Sequence, residues 1–191
     1  MHSGLLLVAY LTLQRTVELV IARRNTAALL ANGAYEAGAQ HYPAIVALHA
    51  SWLATLWIFG WNNNLVAAPL VAFALLQWGR LWVLQTLGER WTTRILIVPG
   101  ATPVMTGPYR FLRHPNYLIV ALELPCASLA LGLPWHAVIF GLLNLDARLA
   151  HPVRGRGVCA SGFVGMTRSD WGFFTAMCVG MFMAILDIQY R

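Results

Sequence analysis

The stretch that decides the fold is residues 115–150, PNYLIVALELPCASLALGLPWHAVIFGLLNLDARLA, which consists of two apolar runs with a short break between them. The break reads Gly-Leu-Pro at residues 132–134, and a Gly and a Pro so close together are typical of a tight turn. Each run, residues 115–132 and 134–150, approaches the ~20 apolar residues that a helix needs to cross a bilayer. The stretch therefore predicts two transmembrane helices that form an antiparallel hairpin.

The rest of the chain extends this apolar pattern. Its 191 residues are 59% hydrophobic and only 10% charged, with a mean hydropathy of +0.62. Soluble domains carry about 25% charged residues, so a soluble enzyme is excluded and much of the apolar surface must face lipid. Three further runs, residues 3–22, 41–60 and 65–87, are also long enough to span. We therefore predict an all-α fold, a polytopic membrane bundle of five transmembrane helices. A sixth apolar run, residues 172–186, either spans the membrane or lies on its surface.

The distribution of arginine predicts the orientation of the helices. All 13 basic side chains are Arg and the net charge is +6. The absence of Lys is typical of a genome-composition effect, so we infer no nucleic-acid partner. If the helices alternate in direction, one side of the membrane holds the arginines at positions 23, 24, 90, 94, 110, 113, 148, 154, 156 and 168. The turns on the other side, residues 62–64 and 132–134, carry no charge. The positive-inside rule then makes the arginine-rich side cytoplasmic.

Charged side chains inside the predicted spans are functional candidates, because a charge in the bilayer interior is costly. Arg15 and Glu18 are three residues apart and share a helix face, so they are expected to neutralise each other and hold the first helix in the bundle. Arg80 and Glu123 are lone charges on two other helices. Each needs a partner across the bundle, and an Arg80–Glu123 pair would supply one.

The sequence predicts no metal site. His41 and His49 can share a helix face, but two histidines without a third ligand are more typical of packing or interfacial residues. Cys126, Cys159 and Cys178 are far apart and lack a C-x-x-C spacing, so neither a metal centre nor a disulfide framework is indicated.

The polar chemistry is predicted in the loop before the hairpin. Residues 87–100 read LGERWTTRILIVPG and residues 106–117 read TGPYRFLRHPNY. The Gly-Pro pair at residues 107–108 predicts a turn, and Pro115 suits the first position of a helix. The loop is therefore expected to pack at the cytoplasmic end of the fourth helix.

Four side chains give this loop its binding chemistry. Arg110 and Arg113 are three residues apart in a predicted short helical segment, and with the free amides of the helix start they can bind an anion such as a carboxylate. Tyr109 and Tyr117 can stack on a purine or face a cation. The residues alone favour a ligand site at the membrane surface about as much as a basic loop that anchors to anionic lipid headgroups.

The pattern G-P-Y-x-x-x-R-H-P-x-Y at residues 107–117, at the start of a membrane helix, resembles the isoprenylcysteine carboxyl methyltransferase family. The LGERWTTRI block, the hairpin, and Arg15–Glu18 followed by Arg-Arg-Asn at residues 23–25 look like the family's bacterial branch, so the resemblance covers about residues 5–150. The resemblance implies an enzyme of a bacterial inner membrane that binds S-adenosyl-L-methionine at its cytoplasmic face. The loop, the start of the fourth helix and the tail would enclose the cofactor, and the acceptor's lipid tail would enter from the bilayer.

The resemblance also implies roles for individual residues. The expected cofactor contacts are Gly107, Pro108, Tyr109, Arg110, Arg113, His114, Pro115 and Tyr117. The expected catalytic residues are Arg113, His114 and Arg94. The arginines would bind the cofactor carboxylate or a substrate oxyanion, and His114 would position the cofactor or take a proton from a phenol. Glu123, Arg80 and Arg94 are candidates for contact with the methyl-accepting substrate.

The predicted reaction is O-methyl transfer to a lipophilic acceptor, either an isoprenylcysteine-type carboxylate or an alkylpyrone- or alkylresorcinol-type hydroxyl. A carboxylate or acidic enol is already anionic, so orientation and exclusion of water matter more than a strong base. Two other enzymes remain as alternatives: a phospholipid N-methyltransferase, which the block around Arg94 disfavours, and a membrane reductase that uses a nicotinamide cofactor. A catalytically inactive membrane scaffold is the alternative outside enzymes.

The chain departs from the family pattern after the hairpin. Family members continue with an Arg-rich stretch and a Glu-Glu pair that helps to hold the cofactor, whereas residues 151–167 read HPVRGRGVCASGFVGMT and contain no acid. We therefore divide the chain into a methyltransferase domain, residues 1–154, and an atypical segment, residues 155–191. A shifted reading frame would explain the segment. Suppose that Gly155 is encoded by GGT or GGC, Arg156 by CGA and Gly157 by GGA. The next reading frame then encodes Val-Glu-Glu at this place. In the same frame, the codons of residues 166–167 contain a stop codon.

Overall fold

The computed structural model describes residues 3–37, 39–112 and 114–149, without the side chains of His41 and of residues 146–149. In chain order the elements are α1 (Ser3–Ala31), β1 (Tyr35–Glu36), α2 (Tyr42–Phe59), α3 (Ala67–Leu87), β2 (Leu96–Ile97), α4 (Pro115–Ala130) and α5 (Pro134–Leu149). Short 3₁₀ helices at Ala39–His41, Gly88–Arg90 and Gly107–Arg110 lie in the connections. The predicted all-α membrane bundle is confirmed; the run at residues 172–186 and the proposed boundary at residue 154 lie outside the described residues.

Within the described part of the chain, three of the five α-helices have the length and apolarity of a full membrane span: α1, α2 and α3. The helices α4 and α5 have 16 residues each, about 24 Å of helix against a hydrocarbon core of about 30 Å. The predicted hairpin turn lies between them, and Gly132 there adopts a φ of +68°. Because an L-residue rarely adopts such a φ, the glycine is what permits the reversal.

Helix α1 is longer than the apolar pattern predicts. The apolar run ends at residue 22, but the helix continues through Arg23 and Arg24, which are good helix formers. It ends where Gly33 takes a φ of +85° and donates its N–H to the Leu30 carbonyl at 3.1 Å. Twenty residues of helix already cover about 30 Å, so the last turns of α1 extend beyond the bilayer core.

At one end of the bundle, backbone and side-chain amide hydrogen bonds join the segments where the chain reverses direction. The N–H of Gly4 donates to the Asn63 carbonyl at 3.0 Å, and the N–H of Val66 donates to the Ala130 carbonyl at 2.9 Å. The Asn63 side-chain amide donates to the Leu131 carbonyl at 2.8 Å. The start of α1, the α2–α3 connection and the hairpin turn therefore lie together.

The opposite end, here called the loop end, holds the two longer connections. Strands β1 and β2 pair antiparallel and join the α1–α2 connection to the α3–α4 loop. The Asn25 side-chain amide donates to the Trp91 carbonyl at 2.8 Å, and the hydroxyls of Tyr42 and Thr93 lie 3.1 Å apart. The predicted alternation of helix directions is thus confirmed.

Helix α4 is the centre of the bundle, since every residue from 119 to 130 is buried. A polar chain links it to α2 and α5. Trp52 Nε1 donates to Ser128 Oγ at 3.2 Å, and Ser128 Oγ lies 2.9 Å from His136 Nδ1. The second ring nitrogen of His136 lies 2.8 Å from Thr55 Oγ1. Each of these inner polar atoms therefore has a partner, as burial requires.

A network of four charges joins α1, α3 and α4. Arg15 pairs with Glu18 at 3.2 Å, as its spacing predicts, and Arg80 pairs with Glu123 at 2.7 Å. Arg80 also pairs with Glu18, and Arg15 with Glu123 at 2.9 Å. Two arginines and two glutamates balance, so the network has no net charge despite its burial. The structure thus contains the Arg80–Glu123 pair that the sequence left open, and the Arg15–Glu18 pair is one side of a larger arrangement.

Candidate active site

An apolar layer separates the charged network from the loop end. Its buried members are Ala22, Val83, Leu87, Trp91, Tyr109 and Ile119. Ala22, Val83 and Ile119 lie one helical turn from Glu18, Arg80 and Glu123, respectively, on the side of the loop end. Trp91 and Tyr109 of the α3–α4 loop therefore pack on apolar helix side chains and not on the charged network.

The first part of the motif packs directly on α3. Gly107 adopts a φ of +58°, and a Cβ added there would lie 2.3 Å from Thr86 Oγ1, so only glycine allows this approach. Pro108 follows it, buried, in the 3₁₀ helix Gly107–Arg110. The predicted turn is confirmed. The predicted short helix includes Arg110 but ends there, and Arg113, the predicted catalytic and cofactor-binding arginine, lies outside the described residues.

Two buried donors near this segment have no hydrogen-bond partner among the described residues. They are the Tyr109 hydroxyl and Trp91 Nε1, on side chains that are 6% and 3% exposed. Burial, and to a smaller extent the nearby Tyr117, raises the pKa of Tyr109, so its hydroxyl stays protonated and able to donate. A buried donor left unpaired is costly, so both groups are candidates for contact with a polar ligand atom.

Sequence reasoning did not single out Trp91 as a site residue. The available signal was a large indole inside the polar LGERWTTRI block, away from the apolar core of any predicted span. Its burial depends on α1, α3 and α4 meeting around it, which the sequence of the loop does not reveal.

The second part of the motif forms the start of α4, which begins at Pro115 as predicted. His114 is buried in the preceding cap position, and its carbonyl accepts the N–H of Leu118 at 3.3 Å. The rings of His114 and Tyr117 meet edge to face with their centroids 6.0 Å apart. The structure thus brings His114, Pro115 and Tyr117 to the end of α4 that faces the loop, as predicted.

Arg110 is exposed, and its Cζ lies 6.0 Å from the centroid of the Phe111 ring. Pro108 and Tyr109, just before it, are buried. The predicted contact between Arg110 and a cofactor stays a prediction.

Arg94 is part of the strand pair at the loop end. Its guanidinium donates to Glu36 at 2.7 Å and lies 4.6 Å from the centroid of the Tyr42 ring. The hydrogen bond to Glu36 raises the pKa of Arg94. Sequence reasoning missed Glu36 and Tyr42, because they lie more than 50 residues away in the chain and come close to Arg94 only in the folded protein. The predicted catalytic role of Arg94 stays a prediction.

The geometry of this pair predicts small effects on stability. The Arg94 side chain is 40% exposed, and exposed ion pairs contribute about 0–1 kcal/mol. We expect Glu36→Gln and Arg94→Gln each to lower the free energy of unfolding by less than about 1 kcal/mol, measured by thermal unfolding in detergent. A loss of several kcal/mol in either variant would contradict the interpretation of this contact as an ion pair that solvent screens.

Arg80 and Glu123, the candidates for the substrate end, are not brought to the motif. Glu123 is fully buried and accepts hydrogen bonds from Arg80 at 2.7 Å and from Gln77 at 2.6 Å. It is nine residues beyond His114 in α4, about 13 Å along the helix axis. A direct role in binding substrate therefore stays a prediction for both residues.

No group of three or more His, Cys, Asp or Glu side chains suited to a metal ion occurs within residues 3–37, 39–112 and 114–149. His49, one of the two histidines considered in the sequence, places Nδ1 2.9 Å from the Ile45 carbonyl of its own helix.

Comparisons with known proteins agree with the motif at the loop end. The sequence model of the isoprenylcysteine carboxyl methyltransferase family matches residues 66–151, which include α3, the α3–α4 loop and the hairpin. The uncharacterized protein YpbQ of Bacillus subtilis (strain 168) is 36% identical over 132 residues, which cover 62% of this chain and 74% of that protein. The chain belongs to the isoprenylcysteine carboxyl methyltransferase family. It is accordingly an integral membrane protein of a methyltransferase family. No solved structure matches it.

Proposed function

We propose that the chain is an integral-membrane O-methyltransferase that uses S-adenosyl-L-methionine. Its acceptor would be lipophilic and would react at the cytoplasmic face of a bacterial inner membrane. The observation that carries this proposal is the pair of buried donors on Tyr109 and Trp91 beside the start of α4. Family membership supplies the reaction class, and the two donors indicate where a polar ligand belongs.

The residues at the loop end fit S-adenosyl-L-methionine. Its adenine offers an aromatic ring with hydrogen-bond acceptors, which suits Trp91, Tyr109 and Tyr117. Its carboxylate suits the N-terminal end of α4. Gly107 and Pro108 hold the segment against α3, and Arg113 is proposed to add positive charge. The tail would complete the site.

When bound, the cofactor supplies an electrophilic methyl group on a positively charged sulfur. The task of the chain is to orient the acceptor oxygen toward that methyl group and to exclude water, which contributes up to about 11 kcal/mol to catalysis. The apolar layer excludes water from the membrane side of the site. Tyr109 stays a hydrogen-bond donor because burial raises its pKa.

His114 is proposed to position the reactants. It occupies the cap of α4 directly before Pro115, and a residue before proline has restricted backbone freedom. With a phenolic acceptor, its ring is also proposed to take the proton that leaves the hydroxyl. A carboxylate or acidic enol needs no such base. The proposed acceptors are therefore an isoprenylcysteine-type carboxylate and an alkylpyrone- or alkylresorcinol-type hydroxyl, each reaching the site from the bilayer.

The Tyr109→Phe variant tests the proposed site. Removing a buried hydroxyl that has no partner among the described residues should keep or raise the stability of the ligand-free protein, by up to about 3 kcal/mol. Removing a ligand contact should weaken S-adenosyl-L-methionine binding by roughly tenfold, equivalent to about 1.4 kcal/mol. Both quantities can be measured on the protein in lipid nanodiscs, by thermal unfolding and by equilibrium dialysis of labelled cofactor.

The matched control is Tyr10→Phe in α1, whose hydroxyl donates to Gln77 Oε1 at 3.3 Å. This variant should leave cofactor affinity unchanged. If Tyr109→Phe instead destabilises the protein and binds the cofactor normally, the hydroxyl has a partner in the chain and the proposed contact is wrong. Binding of NADPH in place of S-adenosyl-L-methionine by the unaltered protein would favour a reductase, and binding of neither would favour a scaffold.

A further inference from the structure

One face of α3 forms an exposed apolar stripe. It consists of Val71, Leu75, Trp78 and Trp82, all exposed in the bundle. Their spacing of three and four residues places them on one side of the helix. Because α3 has the length and apolarity of a membrane span, this stripe is the lipid-facing side of α3.

The segment 105–112 continues this stripe at the loop end. The ring of Phe111 meets the ring of Trp82 at a centroid distance of 6.4 Å. A Cβ added to Gly107 would lie 2.3 Å from Thr86 Oγ1 in the last turn of α3. The segment therefore lies against the loop-end part of this stripe, at the last two turns of α3.

This segment has two faces of different character. Pro108 and Tyr109 are buried toward the bundle, whereas Met105 and Phe111 are 69% and 72% exposed. Two large apolar side chains in water would be unfavourable. Arg110, which is also exposed, lies between them in the sequence and close to the Phe111 ring.

We propose that residues 105–112, here called the interfacial segment, dock into the headgroup region of the membrane. Met105 and Phe111 enter the boundary between headgroups and acyl chains, and Arg110 binds the phosphate of an anionic phospholipid. The partner is the lipid leaflet because the segment is continuous with the lipid-facing stripe of α3. Trp82, next to Phe111, is of a residue type enriched at this depth, and a cation beside apolar side chains is the pattern of interfacial anchors.

The interfacial segment sets the depth of the candidate site in the membrane. The same few residues form the wall of the site on one face and its lipid contact on the other. The site is therefore held at the depth of the headgroups. This inference does not depend on the proposed methyl transfer, because it rests on exposure and packing alone.

Spin labels on single cysteines test the depth of the segment. In the full chain with Cys126, Cys159 and Cys178 replaced by Ala, labels are placed by Met105→Cys or Phe111→Cys. Leu75→Cys on the stripe is the bilayer reference, and Glu89→Cys, an exposed charged position in the same loop, is the aqueous reference. Collision with oxygen and with a water-soluble nickel chelate is measured in vesicles. We expect the oxygen-to-nickel ratio at positions 105 and 111 to be several-fold higher than at 89 and to stay below that at 75, which lies in the middle of a spanning helix.

A second measurement tests Arg110. Adding phosphatidylglycerol to phosphatidylcholine vesicles should raise the ratio at position 111, and Arg110→Gln should abolish this rise. Nickel collisions at 105 and 111 equal to those at 89 would overturn docking, as would low collision with both reagents, which indicates burial against protein. A high ratio that does not depend on phosphatidylglycerol would overturn the proposed phosphate contact. Cofactor binding, measured separately, reports on the proposed function independently of these labels.

Discussion

Replacing Glu123 by Leu is expected to lower the free energy of unfolding by about 3–5 kcal/mol, the cost of leaving a buried charge without its partner. Glu123 is fully buried and pairs with Arg80 at 2.7 Å and with Arg15 at 2.9 Å. Without it, the two arginines share Glu18 alone, and the network carries a net positive charge between three helices. Reversible unfolding of the protein in mixed micelles measures the difference.

The matched control removes charge in pairs. In the double variant Arg15→Met/Glu123→Leu, Arg80 and Glu18 remain joined and the network is neutral again. We expect the double variant to be clearly more stable than Glu123→Leu alone, since apolar replacement of a complete buried pair is often nearly neutral. Equal losses in the single and double variants would mean that packing of the Glu123 side chain matters, and not charge balance.

The sequence predicts part of this network, and its limit has a physical reason. Arg15 and Glu18 are three residues apart on one helix, so their contact follows from local geometry. The contact between Glu18 and Arg80 depends on which faces of α1 and α3 meet. Those faces are set by how both helices pack against α4. A lone charge in a span indicates that a partner exists, but its identity is a property of the assembled bundle.

Helix boundaries show a similar limit. The apolar run predicts where α1 leaves the hydrocarbon core, near residue 22, whereas the helix ends near Gly33 because nothing before it disfavours helical backbone. The extension carries Asn25 to the carbonyls of Gly88 and Trp91. A hydropathy pattern measures membrane burial, so it cannot report helix that continues into the headgroups and water.

The position of the motif at the start of α4 was predictable, because turn and cap residues act locally. Gly107, Pro108 and Pro115 each impose a backbone conformation wherever they occur. By contrast, the burial of Trp91 and the Arg94–Glu36 pair depend on contacts between distant segments. The sequence therefore predicts where the candidate site lies, and the structure adds the side chains that close around it.

Gly107→Ala is expected to weaken binding of S-adenosyl-L-methionine by at least roughly tenfold, equivalent to about 1.4 kcal/mol, and to destabilise the protein. The new Cβ would lie 2.3 Å from Thr86 Oγ1 and 3.0 Å from Thr86 Cγ2, so the 3₁₀ helix must move away from α3. Overpacking of this kind costs about 1–3 kcal/mol, and a left-handed φ adds about 1–2 kcal/mol for a non-glycine residue. The movement shifts Tyr109, two residues later, and with it the proposed ligand contact.

Two further variants separate backbone strain from the clash. Gly33→Ala carries a similar strain, with a φ of +85°, but has no atom within 4 Å of the new Cβ, so it should lose stability without losing cofactor affinity. The double variant Gly107→Ala/Thr86→Ala removes the two closest atoms of Thr86, leaves its Cβ 3.2 Å from the new methyl group, and should recover most of the affinity. If it recovers none, displacement by Thr86 is not the cause. The left-handed backbone at Gly107 would then itself be what holds Tyr109 in place.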